Sequence, residues 1–98
     1  MAIRFKYTPQ FRAEYRGVLQ YIRSNLQNPI AAKNLMNTFT TAKRTLAAFP
    51  RATLPSTIGG ETYYYVRVKN YLAFYVVKED TVEFRRFLYA RADMTAKL

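Results

Sequence analysis

The apolar period of this chain switches near its middle, and that switch limits the architectures open to it. From Phe11 to Phe49 the apolar residues recur at spacings of three and four, whereas from Tyr63 onward they alternate. A period near 3.6 buries one stripe of a helix and a period of 2 buries one side of a strand. The long helices therefore precede most of a sheet, and each must cover the other's apolar side.

The longest helical signal runs from Asn28-Pro29 to Phe49-Pro50, with Ala31, Leu35, Phe39, Ala42, Leu46 and Phe49 holding the spacing over some five turns. Asn28 is placed to cap this helix, and Pro29 occupies its first turn, where the missing N–H is no loss. The same grammar, Thr8 followed by Pro9, opens an earlier helix that runs to about Asn25. Its stripe is Phe11, Tyr15, Val18, Leu19, Ile22 and Leu26. The connection between the two is too short for anything but an antiparallel hairpin facing a common sheet. Before them, residues 2–7 alternate and form a first strand with Ile3, Phe5 and Tyr7 on one side.

Residues 50–62, with two prolines and Gly59-Gly60, read as an exposed loop. Tyr64, Val66 and Val68 then share one side of a strand, opposite Tyr63, Tyr65, Arg67 and Lys69. Reversals at Lys69-Asn70 and at Lys78-Glu79-Asp80 divide the remainder into strands over residues 71–77 and 81–89, a meander. In the last strand Val82, Phe84 and Leu88 point one way and Arg86 interrupts them. Either a bulge shifts the register there or Arg86 lies at the sheet's rim.

Composition narrows the chemistry. The 98 residues suit one domain, residues 1–98, and half of them are hydrophobic, enough for a packed core. Cysteine and histidine are both absent, which removes disulfides and the usual ligands of zinc, copper and iron, so neither a metal nor another cofactor is expected. No apolar run is long enough to span a bilayer and the first residues do not resemble a signal peptide, so the expectation is a cytoplasmic protein without a membrane partner. Sixteen Lys and Arg against six Asp and Glu give a formal charge of +10, which suits a polyanionic or acidic partner. The last third gathers Arg67, Lys69, Arg85 and Arg86 among tyrosines able to stack on bases. Arg91 follows where the last strand leaves the core.

Across nearly its whole length the chain resembles the RelE/ParE superfamily of toxins from bacterial type II toxin-antitoxin, or plasmid stabilisation, modules. The resemblance is carried by YTPQFRAEYRGVLQYIRSNLQNPIAAKNLMNTF over the hairpin, the FP that closes it, VKNYLAFYVV, and FLYARAD. It implies an α+β domain ordered β-α-α-β-β-β. In such a domain the hairpin covers one face of a twisted, mostly antiparallel four-stranded sheet, and the opposite face is concave and basic. A cognate acidic antitoxin is the implied partner.

RelE-like members of the superfamily act on the ribosome and cleave mRNA without a metal, by attack of a ribose 2′-hydroxyl on its own phosphate. That precedent implies an mRNA interferase, with Arg67, Arg86, Arg91 and Tyr71 expected as catalytic residues and Lys69, Arg85 and Tyr65 as RNA-binding ones. Against the pattern, Leu72 follows Tyr71 where such enzymes have arginine, and Ala92 and Met94 replace a basic and an aromatic residue. ParE-like members inhibit DNA gyrase and are not nucleases. A gyrase inhibitor, and a basic nucleic-acid-binding module or decayed toxin, are therefore the alternatives.

Overall fold

A computed structural model describes residues 2–51 and 55–90. Its elements, in chain order, are β1 (Arg4–Tyr7), α1 (Pro9–Gln20) continued by a π-helical turn (Tyr21–Asn25), α2 (Pro29–Ala48), β2 (Ser56–Ile58), β3 (Glu61–Val68), β4 (Tyr71–Lys78) and β5 (Thr81–Tyr89). The strands form one sheet in the order β1-β5-β4-β3-β2. Only β1, parallel to β5, departs from antiparallel pairing.

Both helix starts follow the expected grammar. The Thr8 hydroxyl accepts from the Phe11 N–H at 3.1 Å and the Asn28 side-chain oxygen from the Ala31 N–H at 3.0 Å, so each satisfies a first-turn donor that has no helical partner. The helical stripes shed their last members, however. Leu26 closes the π turn at 56% exposure, its N–H still on the Tyr21 carbonyl, because the wider π spacing breaks the 3.6-residue stripe, and Phe49 ends α2 at 66%, where the backbone has left the helix.

The sheet has five strands rather than four. Ser56–Ile58, in the segment expected to be loop, pairs with Glu61–Tyr63 across Gly59-Gly60. Both glycines have positive φ, +60° and +81°, the left-handed pair that a two-residue hairpin needs.

Register decides which residues share a face. Tyr64, Val66, Val68, Tyr71, Ala73, Tyr75, Val82, Phe84 and Phe87 turn toward the helices, where Phe11, Leu35, Phe39 and Leu46 meet them in one core. Phe11 is its hub, with ring centroids 5.3 Å from Phe84, 5.7 Å from Phe87 and 5.8 Å from Phe39. The wholly buried Tyr75 spends its hydroxyl on the Pro50 carbonyl at 2.7 Å, tying the exit of α2 to the central strand.

A bulge in β5 resolves the position of Arg86. Tyr75 opposes Phe84 and Phe74 opposes Arg86, so Arg85 is one residue too many on its strand. The inserted residue shifts the alternation, and Phe87, not Leu88, returns to the core.

Candidate functional site

The sheet face turned away from the helices is where the expected cations would have to meet. The row Tyr65–Phe74–Arg86 and the row Arg67–Leu72–Leu88 both lie on it, as cross-strand partners must. Its centre is apolar. Phe74 and Val76 are 4% and 3% exposed, and the half-open Tyr65 ring packs 5.8 Å from Phe74.

The two arginines of the bulge are committed to carboxylates. Arg85 donates through Nε to Glu83 at 2.7 Å and through its terminal nitrogens to Glu61, beside the Tyr63 hydroxyl at 3.4 Å. Lys78 joins the same Glu61 at 3.4 Å. The hydrogen bonds from Arg85 hold the Glu61 carboxyl below its ordinary range, and those to Glu61 and Glu83 raise the Arg85 guanidinium. Arg86 turns over the sheet edge and meets Glu14 of α1 at 2.7 and 3.0 Å, while the Phe87 N–H donates to the same carboxylate at 2.9 Å. The edge is open to Glu14 because β1 stops pairing at Tyr7. Thr8 then closes the gap, with its N–H on the Phe84 carbonyl at 3.0 Å and its hydroxyl on the Arg85 carbonyl at 3.1 Å.

The other predicted site residues are separated. Arg67 is exposed and uses its Nε on the Lys69 carbonyl at 2.9 Å. Lys69 belongs to the reversal after β3, with φ +58°, and not to the strand face it was expected to share with Arg67. Its neighbours there are Tyr71 and Tyr89, around a cleft of about 400 Å³ on the helix side. Tyr71 stacks on Phe87 at 5.2 Å, so it lies on the opposite face from Arg67, and burial raises its phenol. Tyr65 and Arg67 do share a face. Arg91, together with Ala92 and Met94, falls outside the described residues.

The concave basic face expected from the sequence is thus mostly neutralised, since its β5 cations have partners in Glu14, Glu61 and Glu83. For Arg85 a signal was available, because Glu83 two residues earlier in a strand points to the same side. No spacing rule reaches from Glu14 to Arg86.

A second concavity, of about 500 Å³, lies between α1 and α2. Its floor is Phe11, Tyr15, Leu19, Met36 and Phe39, and Arg12, Arg16 and Lys43 stand on its rim. Lys43 donates to the Tyr7 hydroxyl at 2.9 Å and lies 4.8 Å above the Phe39 ring. Among the described residues no helix is long and apolar enough to cross a membrane.

Comparison with known proteins agrees with this fold. The chromosomal ParDE toxin-antitoxin system from P. aeruginosa superposes with a TM-score of 0.70 at 17% identity, covering 92% of this chain and 98% of that one. The YoeB dimer from Staphylococcus aureus gives 0.63 at 14% identity, covering 93% and 100%. The archaeal RelE-RelB complex from Pyrococcus horikoshii OT3 gives 0.62 at 17%, covering 94% and 100%. No curated protein matches in sequence. The sequence profile described as "ParE toxin of type II toxin-antitoxin system, parDE" matches residues 5–94, nearly the whole chain. With the helical hairpin, the sheet order and that match in agreement, the chain belongs to the ParE toxin family of type II toxin-antitoxin systems.

Proposed function

We propose that this toxin stops growth by inhibiting DNA gyrase, the activity that its resemblance to ParE implies, and that it does not cut mRNA. One observation carries the choice. Arg86, the cation that an RNA-cleaving site would need beside Arg67, is held at the sheet edge by the Glu14 carboxylate at 2.7 Å. Metal-free RNA cleavage depends on free cations at the phosphate and a group nearby that exchanges protons. Leu72, not a cation, stands opposite Arg67, and Tyr71 lies across the sheet with its phenol made harder to ionise by burial. The match of residues 5–94 to the ParE description favours the same reading. The partner that holds the toxin inactive is a cognate antitoxin.

Induction of the chain in bacteria without antitoxin tests this directly, with growth, translation and DNA integrity followed together. The expected outcome is DNA-damage signalling with intact mRNA, and loss of supercoiling activity when purified gyrase is incubated with the protein. mRNA cut within codons on the ribosome, relieved by Arg67→Ala, would replace this reading with the nuclease one. Unimpaired growth would point to a decayed toxin or a binding module.

A further inference from the structure

The outer ridge of α2 has a composition that packing does not require. Lys33, Asn37, Thr41 and Arg44 recur at spacings of four, four and three, so they stand in one exposed row opposite the buried Leu35, Phe39 and Leu46. The row is distinct from the side of α2 that carries Met36 and Lys43. A solvated helix face ordinarily mixes both signs, with acids three or four residues from bases. α2 contains no aspartate or glutamate, and neither Lys33 nor Arg44 is ion-paired to a described carboxylate. The hydroxyls of Thr38 and Thr40 donate to carbonyls one turn earlier at 2.9 and 3.1 Å, whereas that of Thr41 makes no such bond among the described residues. A third cation comes from the sheet. β2 pairs with Glu61–Tyr63 and no further, which leaves Arg67 on an open edge of β3, and a cleft of about 410 Å³ there is lined by Asn37, Thr38, Thr41, Ala42 and Arg67. Arg67 spends its Nε on the Lys69 carbonyl at 2.9 Å, and its terminal nitrogens are left for a ligand.

We infer that this face of α2, with Arg67 beside it, binds the sugar-phosphate backbone of duplex DNA without reading its sequence. Lys33 and Arg44 are separated by about 16 Å along the helix axis, enough to span a major groove about 12 Å wide and meet phosphates on both of its walls. Between them stand Asn37 and Thr41, and such side chains join lysine and arginine in holding phosphate oxygens. Other occupants fit the row less well. Single strands are gripped by stacking on aromatic rings, and this row carries none. The major groove of an RNA duplex is too deep and narrow to admit a helix. An acidic protein would need an apolar anchor at the centre of the contact, where this row has an amide and a hydroxyl. Contact with DNA goes beyond the gyrase reading and does not rest on it, because it needs no enzyme.

Fluorescence anisotropy of a labelled duplex of about 20 base pairs, titrated with the full-length toxin between about 50 and 200 mM salt, is the test, with the folding of each variant checked by circular dichroism. Lys33→Gln with Arg44→Gln and Arg67→Gln should weaken binding at least tenfold at the low-salt end and flatten the slope of log affinity against log salt by about 2.7, about 0.9 for each phosphate released. Asn37→Asp, which keeps every cation, should weaken it at least threefold. Lys6→Gln with Arg12→Gln and Arg16→Gln changes the charge equally outside the row and should weaken it less than threefold. Equal losses in the two triple variants overturn the placement, since affinity would then follow net charge alone. Absence of saturable binding at low salt overturns it outright, as does tighter binding to a single strand of the same sequence. Polyglutamate bound as tightly as the duplex, and released by the same three substitutions, would assign the row to an acidic protein instead. None of these outcomes bears on gyrase inhibition, which is measured separately.

Discussion

Glu14 and Arg86, 72 positions apart, form a two-point ion pair across the sheet edge, and the same carboxylate takes the Phe87 N–H. Both side chains are about four-fifths buried, at 21% and 19% exposure, so the pair is shielded from competition by water. It supplies an acceptor to the part of β5 that β1 does not reach, and it continues along the same edge the contacts that Thr8 makes at Phe84 and Arg85.

Removing that carboxylate should therefore cost more than a surface ion pair would. Glu14→Ala takes the carboxylate from Arg86 and from the Phe87 N–H, and a loss of about 2–3 kcal/mol is expected from the urea midpoint at constant slope. Glu14→Gln keeps an oxygen for the amide and should lose about half as much. Equal losses in the two variants would show that the charge does not matter.

The Gly59-Gly60 turn brings β2 back onto β3. A Cβ at Gly60 meets nothing within 4 Å, so its φ of +81°, and not crowding, sets the penalty. Gly60→Ala should destabilise by about 1 kcal/mol, and Gly60→Asn by less, because asparagine tolerates the left-handed region. Amide exchange should show the loss concentrated at Ser56–Ile58 and Glu61–Tyr63.

The acid limb of stability should carry the signature of Glu61. Its carboxyl is held below the ordinary 4.5, first of all by hydrogen bonds from Arg85, so it stays ionised in the fold at a pH where the unfolded chain takes up a proton. The contribution is complete above that ordinary value and disappears as pH falls through the lower folded one. Chemical denaturation between pH 3 and pH 6 should show a flatter acid limb for Glu61→Gln than for the unmodified chain. Identical limbs would mean that another carboxylate governs acid unfolding.

Most of the scaffold was legible in the residues because its signals are local. Thr8-Pro9 and Asn28-Pro29 announce helices within one turn, and Lys69-Asn70 and Glu79-Asp80 announce reversals between alternating runs. Ser56-Thr57-Ile58 was not legible, since three residues cannot display a period and the strand depends on a turn beyond it. Leu26 and Phe49 continued a stripe on paper, but a π turn shifts the phase before Leu26 and the backbone has left the helix at Phe49.

The candidate site divides along the same line. The alternation of β3 placed Tyr65 and Arg67 on one face, and the structure keeps them there. The interruption at Arg86 raised a bulge as one of two possibilities, but a strand pattern does not say that Arg85 is the inserted residue, that Phe87 replaces Leu88 in the core, or that Tyr71 stands across the sheet from Arg67.

The order of the helices and of every strand but β2, the helix caps and the reversals after β3 and β4, and the excess of positive charge came from the sequence alone, because each depends on neighbours a few residues away or on composition. Which cations are exposed and which are bound was decided only by the tertiary structure. An arginine's availability depends on the carboxylate that folding brings to it, and for Arg86 the strand register and the early end of β1 delivered one from the far end of the chain.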